Sequence, residues 1–125
     1  MMTPVQLFDL AARQADWLSV RQAAVASNIA NANVRTYQAQ DVAPFEEHVK
    51  VAQVRLEATH PEHVGVPKGQ GAVEGEATRA TMQTVGGPVV LETELAKSNQ
   101  VRAGMELNTA VVAAFHRMTL MVSKG

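Results

Sequence analysis

The chain has 125 residues, long enough for one ordinary domain, and 46% of them are hydrophobic, a fraction compatible with folding. Its 11 basic and 12 acidic residues are dispersed and leave a formal charge of -1, so it carries no electrostatic footprint for nucleic acid or an anionic membrane surface. With no cysteine, disulfides and thiolate catalysis are excluded.

Met1 to Gln6 lacks the basic and long apolar regions of a cleaved secretory signal, and no run approaches the roughly 20 apolar residues of a membrane span. Thr3 and Gln6 frame a capping box, with Pro4 at the first helical position, where its missing amide hydrogen costs nothing. From there Leu7, Ala11, Leu18, Val25 and Ile29, reinforced by Leu10, Trp17 and Ala24, recur at three- and four-residue steps. That spacing predicts a helix to about residue 32, roughly 43 Å long at a rise of about 1.5 Å per residue. The stripe is narrow and interrupted by Gln14, Arg21 and Asn28, which suits a coiled-coil-like seam better than the wide face of a compact core.

Asparagines 28, 31 and 33 admit two readings. Asn33, with Asn31, can end the helix, because asparagine tolerates the left-handed conformation and satisfies local backbone groups. Alternatively Asn28 and Asn31, about one turn apart, hydrogen-bond across a helix-helix seam and fix its register. Residues 34–42 read as a turn and extended chain around Tyr37. Residues 43–52 predict a short second helix, with Pro44 near its start, acids in its first turn and Lys50 later, while alternation at Val49, Val51 and Val54 keeps a strand as the competing reading.

Residues 59–88 hold six of the eight glycines and three of the five prolines, and are expected to form a mobile excursion without a core of their own. His60 and His63 within it have metal-like spacing, but Pro61 opposes a ligating helix and no third ligand accompanies them. Beyond Pro88, the series Leu95, Val101, Met105, Val112, Phe115 and Val122, joined by Val111, Met118 and Met121, predicts a second long helix over 90–125. Glu92 and Glu94 fall in its first turn, favourable against the helix dipole, and are read as solvated charges. Gly104 is expected to weaken that helix by about 1 kcal/mol relative to alanine.

Together these elements predict an all-α fold. Two long terminal helices pack antiparallel in coiled-coil-like fashion, a short helix follows the first, and the middle is extended and rich in glycine and proline. Segments 1–33 and 90–125 form one domain, and 34–89 supplies the turn, short helix and extended segment. With one Trp, one Tyr and three Phe, burial comes mainly from small aliphatics, at up to about 25 cal/mol per Å², and partners are expected to complete a thin core. The histidines at 48, 60, 63 and 116 accompany no nucleophile motif, and no glycine loop cradles phosphate, so neither an enzyme nor a cofactor or metal site is expected.

The run Asn28-Ile29-Ala30-Asn31-Ala32-Asn33 followed by Tyr37 resembles the signature of the bacterial flagellar rod, hook and hook-associated axial proteins, in which Asn-Ile-Ala-Asn precedes a short turn and an aromatic. The residues from Leu18 to Val25 before it, and Asp41-Val42 after it, narrow the resemblance to the proximal rod. Val34-Arg35-Thr36 replaces the usual Thr-Pro-Gly of the turn. Near the other end, Val89 to Leu95 is similar to the family's lead into its last helix, and Asn99 matches an asparagine there, whereas Ala103 stands where an aromatic is usual.

The resemblance implies a structural subunit of the proximal rod, assembling into a helical tube that transmits motor torque and leaves a central export channel. It implies export through the flagellar type III apparatus without a cleaved signal, residence in the rod within the periplasmic space, and partners among copies of itself and other rod and basal-body proteins. The residues expected at the assembly interface are Leu18, Arg21, Val25, Asn28, Ile29, Asn31, Asn33 and Tyr37 on the first segment, with Leu95, Asn99, Met105, Val112 and Phe115 on the last. A soluble helical adaptor or export chaperone of the same secretion system fits the periodicity equally well. The paired signatures at both ends favour the rod subunit.

Overall fold

The computed structural model describes residues 4–50 and 80–124. Helix α1 spans Pro4–Ala30, α2 is a short helical segment over residues 45–50, and α3 spans Leu91–Lys124. Strand β1, Gln40–Val42, pairs antiparallel with β2, Met82–Thr84, with Asp41 opposite Gln83. The expected architecture of two long terminal helices packed together with a short helix after the first is present. The ribbon is an addition to it. Residues 43–52 were open between helix and strand, and 45–50 are helical.

The end of α1 shows how local chemistry sets a boundary. Asn31 donates from Nδ2 to the Ser27 carbonyl at 2.8 Å, and its own amide reaches the same oxygen at 3.1 Å. This satisfies a last-turn carbonyl and closes the helix at Ala30, ahead of the expected residue 32. No non-glycine residue among those described has a positive φ, so the helix ends without a left-handed asparagine. The expected cap Thr3 lies outside the described residues, as do His60, His63 and the rest of 51–79.

Of the stretch expected to be a mobile excursion, residues 80–88 are described, and 82–87 pair with β1 and Ala39. Val85 donates to the Ala39 carbonyl at 3.0 Å, and Ala39 donates back to Gly87 at 3.3 Å. Gly86 and Gly87 adopt φ of 78° and 81°, a region that side-chain-bearing residues rarely occupy, and so turn the chain from β2 toward α3.

Antiparallel packing of α1 on α3 is fixed by contacts along the seam. Phe8 meets Phe115 edge-to-face at 5.8 Å, Asn108 donates to the Ala11 carbonyl at 2.9 Å and to Gln14 Oε1 at 3.1 Å, and Leu18 lies against Gly104. The buried apolar side chains are small: Leu18, Ala24, Val25 and Val101, with Ala39 and Ala80 beside the strands in sequence. Trp17 ties the short segment to α1, donating from Nε1 to the Ala43 carbonyl at 2.7 Å with its ring 5.8 Å from Phe45.

Gly104, expected only to weaken its helix, is a seat for Leu18. A Cβ at this position would stand 3.0 Å from Leu18 Cδ2 and 3.3 Å from Cδ1. Gly104→Ala should therefore change stability little, its gain of about 1 kcal/mol in helix propensity being offset by displacement of Leu18. Gly104→Leu should destabilise by about 1–3 kcal/mol through overpacking. Thermal melts of the two variants check this, and equal melting points would show that the seat is not close-packed.

Candidate functional site

Where α1 ends, the chain doubles back so that Tyr37 and β1 come to lie against the last turns of α1, opposite the first turn of α3. Asn28 stands at the centre with no exposed surface, and Glu94, 2% exposed, faces it. Asn28 Nδ2 donates to the Gln40 carbonyl at 2.8 Å and to Glu94 Oε2 at 3.0 Å. Its Oδ1 accepts from the Gln40 amide at 2.9 Å and from Tyr37 Oη at 3.2 Å. Two donors and two acceptor positions are all that a carboxamide has, and each is used. One side chain thus joins α1, the turn, β1 and α3. Ser27 Oγ shares a further hydrogen bond with Tyr37 Oη at 2.8 Å.

Glu94 was expected in solvent, as Glu92 is, but is buried. Its carboxylate is offset by its place in the first turn of α3, by Asn28, and by Lys97 Nζ at 3.4 Å. Lys97 also pairs with Asp41 Oδ2 at 3.1 Å, and Arg21 Nε approaches Asp41 Oδ1 at 3.6 Å, too long for a hydrogen bond. The Arg21 guanidinium lies 5.4 Å from the Trp17 ring centroid. The result is a chain of alternating charge, Arg21, Asp41, Lys97 and Glu94, running from α1 through β1 to α3.

Burial by itself would lower the Lys97 pKa, but the hydrogen bond and charge of Asp41, then the charge and hydrogen bond of Glu94, outweigh it and raise the value above the ordinary 10.5. A raised lysine contributes stability that is fully present below 10.5 and is lost as pH rises through the higher folded value. The stability advantage of the natural chain over Lys97→Met should therefore be full below 10.5 and shrink as pH rises above it. Urea midpoints below and above that value test the sign, and an advantage that grows with pH would contradict it.

The residues expected at an assembly interface divide into two groups. Leu18, Val25 and Asn28 are buried, and Met105, Val112 and Phe115 are half-buried on the α3 face that meets α1; Arg21 and Tyr37 are half-buried in the polar cluster. These contacts lie within one chain. Ile29, Asn33, Leu95 and Asn99 point outward, and Asn31 bonds its own helix instead of reaching across the seam. Missed by sequence reasoning were Gln40, Asp41, Glu94, Lys97 and Asn108, whose roles depend on long-range partners.

A second apolar row runs along the outside of α3. Leu107, Val111, Met118 and Val122 are exposed, Leu107 and Met118 by 64% and 60%. Their spacing of four, seven and four residues puts them on one stripe, about a quarter turn from the α1-facing row of Val101, Met105, Asn108, Val112 and Phe115. No helix among the described residues covers it. With Phe8 level with Phe115, the residues Leu120, Met121 and Val122 extend past the level of Pro4 and are exposed too. The outer face of α1 contrasts with this, offering small residues at Ala12, Ala15, Ser19, Ala26 and Ala30.

Among the described residues no group of His, Asp and Glu could hold a metal ion, and no helix is long and apolar enough to cross a membrane. The chain is 42% identical over 132 aligned positions to the "Flagellar basal body rod protein FlgB" of Agrobacterium fabrum, an alignment spanning 98% of this chain and 96% of that relative. No family model matches the sequence, and no solved structure matches it.

Proposed function

Because the chain belongs to the FlgB family of flagellar basal body rod proteins and is a structural subunit of that rod, we propose that it builds the proximal rod as one unit of a helical tube. The tube transmits motor torque and leaves a channel for exported subunits. The chain itself reaches the rod through the flagellar type III export apparatus without a cleaved signal, resides in the periplasmic span of the basal body, and performs no catalysis. α1 and α3 act as one domain in this assembly.

The observation that supports this reading most is the uncovered apolar row on α3. Four large side chains at helical spacing, with no partner among the described residues, fit another helix. The small-residue face of α1 in a second copy, or the corresponding helix of another rod protein, is the complementary surface. Since the two faces differ, the contact is heterologous and propagates head-to-tail as an open filament instead of closing a dimer. The outward residues Ile29, Asn33, Leu95 and Asn99 are exposed, Leu95 and Asn99 on a side of α3 away from this row, while Leu18, Val25, Asn28, Val112 and Phe115 hold the unit that presents it.

A soluble adaptor or export chaperone has no observation in its favour. The deciding experiment is immunodetection of the chain in purified basal bodies. It is expected to remain with the rod through washing, in amounts comparable with other axial subunits; a chain found only in the cytoplasm and absent from basal bodies would overturn the assignment.

A further inference from the structure

We propose that the Asn28–Glu94 pair is a register lock, selecting one alignment of α1 and α3 from those that their heptad-spaced apolar residues would otherwise admit. The seam is repetitive. Ala11, Leu18 and Val25 on α1, and Val101, Asn108 and Phe115 with Met105 and Val112 on α3, recur at seven-residue steps. Sliding one helix by a heptad, about 10 Å, therefore lays apolar side chains on apolar side chains again except at Asn108, which leaves the Ala11 carbonyl and Gln14. The seat of Leu18 on Gly104 and the Phe8–Phe115 contact favour this alignment by shape, but the other buried residues are small and add little discrimination.

Polar groups do discriminate. Asn28 and Glu94 are the two buried polar side chains among the described residues, and they face each other. A slide in one direction brings Asn28 level with Val101, and Nδ2 loses its carboxylate. A slide in the other direction brings Lys97 level with Leu18 and removes it from Asp41. Each alternative separates Asn28 from Glu94 and so strands a buried polar group, at the full desolvation penalty of that group. Asn28 is itself pinned to the Gln40 peptide by two hydrogen bonds, so the lock fixes α3 against β1 as well as α1.

The register decides how far α3 projects past α1 and where its outer row stands relative to the alanine face of α1. It is a property of the single chain, so its test is separate from that of the rod assignment. The natural sequence has no cysteine, which allows nitroxide labels to be placed cleanly at the exposed positions Gln22→Cys and Thr109→Cys. A one-heptad slide changes their axial separation by about 10 Å, readable by pulsed dipolar spectroscopy.

The unaltered pair and Glu94→Gln, which can still accept from Asn28, should give one distance. Glu94→Leu should add a second population displaced by about 10 Å. A single native distance in a helical Glu94→Leu chain would overturn the lock. Where Glu94→Leu loses helix in plain buffer, the distance is read in trimethylamine N-oxide, which favours compact states without restoring the acceptor. Failure to recover helix there would also overturn it, by showing that the pair supplies stability and not selection.

Discussion

Asn28→Asp should lower the thermal midpoint of the isolated chain by more than about 10 °C, although it changes one amide to a carboxylate of the same shape. The substitution removes both donors of a side chain that has no exposed surface, leaving the Gln40 carbonyl and Glu94 Oε2 without their partner. Each orphaned buried group costs about 1–3 kcal/mol. It also sets a second carboxylate at the place where Asn28 Nδ2 now approaches Glu94 at 3.0 Å, and like charges at that distance in a buried site cannot both remain ionised cheaply. Asn28→Ser, which keeps one small donor without the added charge, should fall between the two. Circular dichroism melts decide it, and a midpoint within about 3 °C of the natural chain would show that the cluster is better solvated than its burial implies.

Met118→Asp and Leu107→Asp should abolish incorporation into the rod while leaving the fold intact. Both side chains are already mostly in water, so the isolated chain gives up little by exchanging them. At a helix-helix contact, however, the carboxylate must be desolvated without a partner or must force the surfaces apart, at a cost of several kcal/mol. Val112→Asp and Phe115→Asp are expected to behave differently. They lie on the face that meets α1, with Phe115 in edge-to-face contact with Phe8, so helix content and incorporation should be lost together. The comparison separates the two faces of α3 through helicity of purified chain and immunodetection in basal bodies. Normal rods from the outer-row variants would show that assembly uses another surface.

The long helices were legible because the forces that make them are local and periodic. Leu18, Val25, Met105, Val112 and Phe115 announce a seam by their spacing, and the structure sets all five on the inner faces of the two helices. Periodicity does not say which copy of the molecule supplies the partner. That is why residues expected between subunits proved to divide into inward and outward groups once the register was known.

The ribbon was not legible. β2 is three residues long with every side chain exposed, so it carries no alternation, and it is held through backbone pairing with β1. Glu94 was hidden for a related reason. A carboxylate in the first turn of a helix is ordinarily solvated, and its burial rests on Asn28, 66 positions earlier in the chain, together with Lys97. The second role of Gly104 was hidden because helix propensity records what glycine costs its own helix, while its use here lies in the Leu18 side chain of the other one.

Assembly through the outer row is tested most directly by a photoreactive amino acid placed at Met118, with Glu106 on another exposed side of α3 as the control. Irradiation of purified basal bodies should yield adducts of this chain with a second copy or another rod subunit from Met118, and little from Glu106. Adducts from Glu106 alone, or none from Met118 in rods that contain the chain, would contradict assembly through this face.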